Sequence, residues 1–146
     1  MRRLDKDYEA YKEIEQRRML AILLSEEDEA EAEEMALVDS IWKDGPAYRR
    51  IFEYYVRAKE RMNDAVDLID GLIAFEDADA FVKAMREYGA TEFTYSCRST
   101  NAIEEMWNLQ QVGATMVGMV EINSRQVVDF NKTDWWEKKP AFLFRV

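Results

Sequence analysis

One segment of this chain combines a thiol, an arginine and several hydroxyl groups where a strand is predicted to end and a helix to begin, namely Ser96-Cys97-Arg98-Ser99-Thr100-Asn101. Ligands of open α/β sheets bind at the carboxyl ends of strands, and a helix N-terminus attracts anions. The candidate anion-binding residues are therefore Arg98, Ser99, Thr100 and Asn101. Arg98 and the helix end would also favour a reactive thiolate at Cys97. In a purely structural interpretation, the same residues cap the helix and fill a small gap in the core.

The chain contains no histidine, which excludes Ser-His-Asp and Cys-His catalysis and histidine-ligated metal sites. It also has no P-loop, no dinucleotide-binding glycine motif and no nucleophile elbow. We therefore predict no catalytic residue, no cofactor and no metal site, and a non-enzymatic role is favoured.

The densest acidic cluster consists of Glu26, Glu27, Asp28, Glu29, Glu31, Glu33 and Glu34. On a helix these carboxylates would face solvent at spacings that imitate nucleic-acid phosphates to a basic groove, so they are the candidate partner-binding residues. Their spacing is not that of an EF-hand. Acids also complement the helix dipole at the start of an ordinary solvated helix.

The formal charge is unevenly distributed along the sequence. Residues 1–80 hold 22 of the 30 acids and 12 of the 20 Lys and Arg, so the whole net charge of −10 lies in this half. Such a surface repels nucleic acid and anionic membranes, and it attracts basic protein partners. Net negative charge also keeps a small protein soluble, without any further role.

Length and composition predict one domain over residues 1–146, with an acidic helical part at 1–74 and an α-β-α-β-β part at 75–146. Cys97 is the only cysteine, which fits a reducing compartment, and no apolar run approaches the length of a membrane span. We therefore expect a cytoplasmic protein.

A helix-like stretch followed by Gly-Ala-Thr and an apolar run occurs twice, at Gly89-Ala90-Thr91 and at Gly113-Ala114-Thr115. Glycine is the preferred residue for a left-handed helix C-cap, and the residues after it favour a strand, so this part reads α-β-α-β. The apolar run Met116 to Ile122 predicts a central strand that lies parallel to the first through a right-handed crossover. Asp134-Trp135-Trp136-Glu137 is predicted as a loop before a final strand.

Three amphipathic helices are predicted before the repeat, the third with an apolar seam from Tyr48 to Ile73. The predicted fold is α/β or α+β. An N-terminal layer of about three helices packs with a small three- or four-stranded mixed sheet that contains a β-α-β unit.

The C-terminal third resembles an uncharacterised family of small proteins carried by phages and conjugative elements of gut Firmicutes. The residues that carry the resemblance are Phe93-Thr94-Tyr95-Ser96, Trp107, Gly118-Met119-Val120-Glu121-Ile122-Asn123 and Phe142-Leu143-Phe144. The resemblance implies an accessory role in a mobile element, where small acidic proteins block host defence proteins as anti-CRISPR proteins do.

The leading hypothesis is thus an acidic interaction protein that inhibits a basic, nucleic-acid-handling host protein, of which a CRISPR effector is one class. It binds neither nucleic acid nor membrane directly. A small-molecule or anion-binding enzyme with its site at Cys97, Arg98 and Ser99 is the second hypothesis. An oligomeric accessory protein, whose helical seams pair with copies of themselves, is the third.

Overall fold

The computed structural model describes residues 2–25, 27–43, 45–64, 66–69, 75–97, 100–128 and 134–146. The elements of this part are α1 (Arg3–Leu24), α2 (Glu27–Trp42), α3 (Pro46–Glu60), β1 (Val66–Ile69), α4 (Phe75–Glu87), β2 (Glu92–Ser96), α5 (Ala102–Gln111), β3 (Thr115–Val128) and β4 (Asp134–Arg145). The strands form one mixed sheet in the order β1-β2-β4-β3. The predicted fold class, with three N-terminal helices and a small mixed sheet, is confirmed.

The order of the strands differs from the prediction in two respects. β1 runs parallel to β2, and with α4 between them they form a β-α-β unit, whereas the prediction placed this unit at β2, α5 and β3. β4 pairs antiparallel with β2 on one side and with β3 on the other. The prediction that Met116 to Ile122 form a central strand is therefore wrong, because β4 occupies that position and leaves β3 at the edge.

The predicted loop at Asp134-Trp135-Trp136-Glu137 is also wrong, since these residues belong to β4 and pair with the far end of β3. Trp135 lies opposite Val127, and Trp136 lies opposite Gln126. An aromatic residue opposite a β-branched one stabilises an antiparallel pair, so the Trp135–Val127 pair favours extension of the β3–β4 hairpin. Irregularities in register at Met116/Gly118 and Asn123/Arg125 bend this long hairpin.

The third helix is shorter than predicted, because α3 ends at Glu60 and not at Ile73. Met62 adopts a left-handed conformation with φ 59°. The N–H of Met62 donates to the carbonyl of Lys59 at 3.0 Å, and the N–H of Asn63 donates to that of Ala58 at 2.8 Å. These two bonds form a Schellman motif that ends the helix, and the chain then enters β1.

The repeated Gly-Ala-Thr unit is confirmed at both of its copies. Gly89 has φ 77° and Gly113 has φ 104°. After each glycine the N–H of the alanine donates back into the helix, from Ala90 to Met85 at 2.9 Å and from Ala114 to Leu109 at 3.0 Å. Both helices therefore end in the same Schellman motif and turn directly into β2 and β3.

The centre of the core is an aromatic cluster on one face of β2 and β4. The ring of Phe93 stacks on Phe144 with centroids 5.3 Å apart, and Phe81 of α4 meets Phe93 edge-on at 5.3 Å. Leu109 of α5 and Tyr95 of β2 are also buried in this cluster. α4 and α5 therefore pack against the same face of the sheet.

The N-terminal turns of α1 dock on α3 through polar contacts as well as apolar ones. The hydroxyl of Tyr48 donates to Asp7, and that of Tyr55 donates to Asp5. The Arg3 guanidinium lies 4.2 Å from the ring centroid of Tyr48. Burial, together with the hydrogen bond to Asp5, raises the pKa of Tyr55 to about 12. We call this contact between the start of α1 and the α3 tyrosines the tyrosine clamp.

Gly113→Ala is expected to lower the free energy of unfolding by about 1 kcal/mol or more, because alanine is strained in the left-handed region. An ideal Cβ at this position would also lie 2.6 Å from Nη2 of Arg86, which donates to the Gly113 carbonyl at 3.1 Å. Urea unfolding followed by circular dichroism measures the change.

Gly118→Ala is the matched control, since it has no positive φ and a Cβ there meets no atom within 4 Å. It should leave stability unchanged or raise it slightly. Equal effects of the two substitutions would contradict the role assigned to the cap.

Candidate functional site

α1 and α2 form an antiparallel hairpin whose acids are partly neutralised within the hairpin itself. Nη1 of Arg17 donates to Oε2 of Glu33 at 2.9 Å, and Nη1 of Arg18 donates to Oε2 of Glu34 at 2.7 Å. Ser25, in a left-handed conformation with φ 60°, ends α1 at the connection. Two of the predicted partner-binding acids therefore hold the hairpin together.

The remaining members of the predicted acidic cluster divide into two groups. Glu31 is exposed on α2 and makes no ion pair within the described part of the chain. The side chains of Glu27, Asp28 and Glu29, at the start of α2, and all of Glu26 lie outside what the structure describes. Among the described acids of the cluster, Glu31 is thus the one whose charge is left for a partner.

A groove of about 650 Å³ runs between the two helices of the hairpin. Ile22, Met35 and Val38 supply its apolar lining. The Arg18–Glu34 ion pair also lines the groove, with its two charges offset. Glu31 and Asp39 add carboxylates to the lining, and Asp39, like Glu31, has no ion-pair partner among the residues described. The groove therefore combines an apolar surface with two available negative charges, and we call it the hairpin groove.

The end of α1 next to the hairpin groove exposes a run of large apolar side chains. Between positions 19 and 24, Ala21 is buried, whereas the exposed residues are Met19, Leu20, Ile22, Leu23 and Leu24. Leu23 is 80% exposed. Contiguous apolar surface of this kind marks interaction sites on soluble proteins.

Sequence reasoning missed this apolar surface because it predicted α1 and α2 as amphipathic helices, whose apolar residues are expected to face the core. Met35 is 60% exposed instead. The signal that could have revealed it was the unbroken run Met19 to Leu24, since six consecutive apolar residues go around the helix and exceed what one face can bury.

The second predicted site is not assembled by the described residues. Cys97 is half-buried after β2, and Thr100 and Asn101 are exposed before α5. The Asn101 side chain does not cap α5, so the expected capping role is wrong at this residue. Arg98 and Ser99 lie outside the described residues. Anion binding and thiol chemistry at this segment therefore stay predictions.

A buried polar pair fixes α5 on the sheet beside that segment. The hydroxyl of Tyr95 on β2 donates to the carboxylate of Glu105 on α5, and both side chains are buried. Burial and the hydrogen bond to Glu105 raise the pKa of Tyr95 above its ordinary value. This pair positions the start of α5, and no motif in the sequence indicated it.

The described part of the chain has neither a membrane-spanning helix nor a metal-binding cluster. None of its helices is long and apolar enough to cross a membrane. No group of three or more Cys, Asp or Glu side chains in that part is arranged to hold a metal ion.

The family described as Domain of unknown function (DUF7698) matches residues 50–146, from within α3 to the last strand, so the chain belongs to this family. No curated protein and no solved structure gives a significant match.

Tyr95→Phe is expected to lower the free energy of unfolding by about 1–3 kcal/mol, because it removes the hydrogen-bond donor of a buried carboxylate. Unfolding in urea at pH 7 measures the loss. The folded-state pKa of Tyr95 is raised, so its contribution is complete below the unfolded tyrosine pKa of about 10 and declines at higher pH.

Tyr54→Phe, at a half-buried tyrosine of α3, serves as the control and should cost little. If Tyr95→Phe is as stable as the parent protein, the pair does not hold α5 in place.

Proposed function

We propose that this member of the DUF7698 family is a non-enzymatic interaction protein, which binds a basic, amphipathic segment of a partner protein in the hairpin groove. The observation that carries the proposal is the combination of exposed apolar side chains with carboxylates that have no ion pair within the described chain. Ile22 and Met35 suit the apolar face of a partner helix. Glu31 and Asp39 suit its Lys or Arg side chains.

The distribution of charge supports the same kind of partner. The hairpin belongs to the half of the chain that carries the whole net charge of −10. Long-range attraction of this kind speeds association with basic surfaces and discriminates against acidic ones. The ion pairs that hold the two helices together join Arg17 and Arg18 to Glu33 and Glu34. They do not involve the carboxylates of Glu31 and Asp39.

The position of the α1–α2 hairpin relative to the family match supports separate roles for the hairpin and the α/β part. α1 and α2 precede residue 50, where the DUF7698 match begins. The tyrosine clamp joins the start of α1 to Tyr48 and Tyr55 of α3. In this proposal the α/β part is the scaffold, and the hairpin presents the binding groove.

For the identity of the partner we propose a nucleic-acid-handling host protein that the chain inhibits, with a CRISPR effector as one candidate. This part of the proposal rests on the resemblance to mobile-element proteins and on the chemistry of such targets. Proteins that bind nucleic acid expose Lys and Arg to contact phosphates, and an acidic groove can compete for those side chains.

The groove can be tested with an amphipathic leucine–lysine peptide of about 18 residues, long enough to form a helix. The Glu31→Lys/Asp39→Lys double variant is expected to weaken binding about tenfold or more, because it places like charges opposite the lysines. Ile22→Ser/Met35→Ser should weaken binding at all salt concentrations. Fluorescence anisotropy of labelled peptide at low and physiological salt measures both effects.

Glu9→Lys/Glu87→Lys is the matched control, because it changes the net charge equally at exposed residues outside the groove. If this control weakens binding as much as the groove variant does, the peptide responds to net charge alone and the groove is not the site. A pull-down from host lysate with the parent protein and the groove variant then identifies partners that depend on the groove.

Self-association is a second candidate function, and the exposed edge of β3 favours it. Thr115 to Met119 are all exposed and contain no charged residue and no proline. Trp107 and Ile103 are exposed on α5. Natural edge strands are usually protected by charges or prolines, so an unprotected apolar edge is suited to pairing with the same edge of a second copy.

Val117→Lys is expected to convert a dimer into a monomer, because it places a charge in the middle of the paired edges. Size-exclusion chromatography with light scattering measures the mass. Met62→Lys is the control at another exposed apolar residue and should leave the mass unchanged. A parent protein that is monomeric at high concentration would reject this candidate.

A further inference from the structure

A cavity lies where β2 and β4 separate, and it shares no lining residue with the hairpin groove. The two strands pair from Glu92 opposite Arg145 to Tyr95 opposite Phe142. Beyond this point β4 stays paired with β3, while Ser96 stays paired with β1. Pro140 of β4 has no N–H to donate to a neighbouring strand, which suits the end of the pairing.

The opening between the separated strands has a volume of about 300 Å³, and we call it the fork cavity. Tyr95, Ser96 and Cys97 all line it. Successive strand residues point to opposite faces, so lining by both Tyr95 and Ser96 of β2 places the cavity in the plane of the sheet. Its volume lies at the lower end of the range for small-molecule sites.

One polar group in the fork cavity lacks a partner within the protein. Ser96 is 8% exposed, and its Oγ is buried without a hydrogen bond from the residues that the structure describes. A buried hydroxyl without a partner is unfavourable, and most such groups in proteins are hydrogen-bonded. Ser96 therefore has both a donor and an acceptor to offer to an occupant of the cavity.

The fork cavity also has one basic side chain. Lys139 is half-buried in its lining and makes no ion pair within the described part of the chain. The neighbouring Lys138 is already paired, with its Nζ 3.6 Å from Oε1 of Glu121. Lys139 can thus provide a positive charge to an occupant, whereas Lys138 is committed elsewhere.

The rest of the lining is apolar, so most of a bound molecule should be apolar as well. Its members are Ala102, Met119, Pro140, Ala141 and Phe142. Glu104 and Glu105 lie in the first turn of α5, which begins at Ala102. Their carboxylates disfavour a dianion such as a phosphate ester, and a single negative charge on an apolar body fits better.

We propose that the fork cavity binds a small monocarboxylate with an apolar body. The carboxylate accepts hydrogen bonds from the hydroxyl of Ser96 and the ammonium group of Lys139. The apolar body packs on Met119, Pro140 and Phe142. This site is independent of the hairpin groove, so neither proposal depends on the other.

Titration of ¹⁵N-labelled protein with hexanoate, followed by amide chemical shifts, tests the site. Saturable shifts are expected at Ser96, Cys97, Ala102 and Ala141. Lys139→Gln and Ser96→Ala should each weaken hexanoate binding about fivefold or more. Lys138→Gln is the matched control and should change the dissociation constant less than about twofold.

Two further probes and one stability measurement complete the test. Hexan-1-ol lacks the charge and inorganic phosphate lacks the apolar body, so both should bind more weakly than hexanoate. Ser96→Ala should leave the urea midpoint of the free protein unchanged or raise it. Absence of saturable hexanoate shifts, equal binding of either probe, unchanged affinity in Lys139→Gln, or a clear loss of stability in Ser96→Ala would each overturn the proposal.

Discussion

The position of β4 is the constraint on which the rest of the sheet depends, because β4 lies between β2 and β3 and pairs with both. Its buried Phe144 stacks on Phe93 and meets Tyr95 edge-on at 6.4 Å. The same strand that completes the core thus also fixes the edge position of β3. Separation of β4 from β2 beyond Phe142 creates the fork cavity, and its continued pairing with β3 carries Met119 into the lining of that cavity.

Charged and polar side chains divide into those that hold the fold and those left for a ligand or partner. In the tyrosine clamp, Asp5 and Asp7 accept hydrogen bonds from Tyr55 and Tyr48. Arg2 and Tyr55 hold the pKa of Asp5 below its usual value, so this contact weakens as pH falls through the folded-state pKa. The raised pKa of Tyr55 makes the same contact weaken again at alkaline pH, between about 10 and 12. The clamp is therefore strongest between these limits, where both groups keep the protonation state that the fold requires.

The sequence predicted the elements whose signals are local. Gly89 and Gly113 mark helix ends because few other residues adopt their conformation without strain. The sequence did not predict β1, for two reasons. The left-handed residue that ends α3 is Met62, whereas glycine is usual at such a position and would have marked the helix end. Val66 and Ile69 also continue the helical spacing of Tyr48 to Glu60. The edge position of β3 could not be predicted, since an apolar strand has the same composition whether its own chain or another molecule covers it. The sequence showed the acidic cluster of the α1–α2 hairpin. It did not show that Glu33 is ion-paired and Glu31 is not, because this depends on which arginines of α1 face each acid.

The pairing of β2 with β4 has a consequence for the order in which the chain folds. Arg145 and Glu92, which face each other across this pair, are 53 residues apart in sequence. Closing a loop of that length lowers the chain entropy before the contacts between β2 and β4 can stabilise it. The β3–β4 hairpin and α5, in contrast, form from residues that are closer in sequence. Formation of these local units first shortens the effective loop that remains to be closed. The β3–β4 hairpin should therefore belong to the folding nucleus. Substitutions in this hairpin should slow folding, while loss of contacts at β1 should mainly speed unfolding.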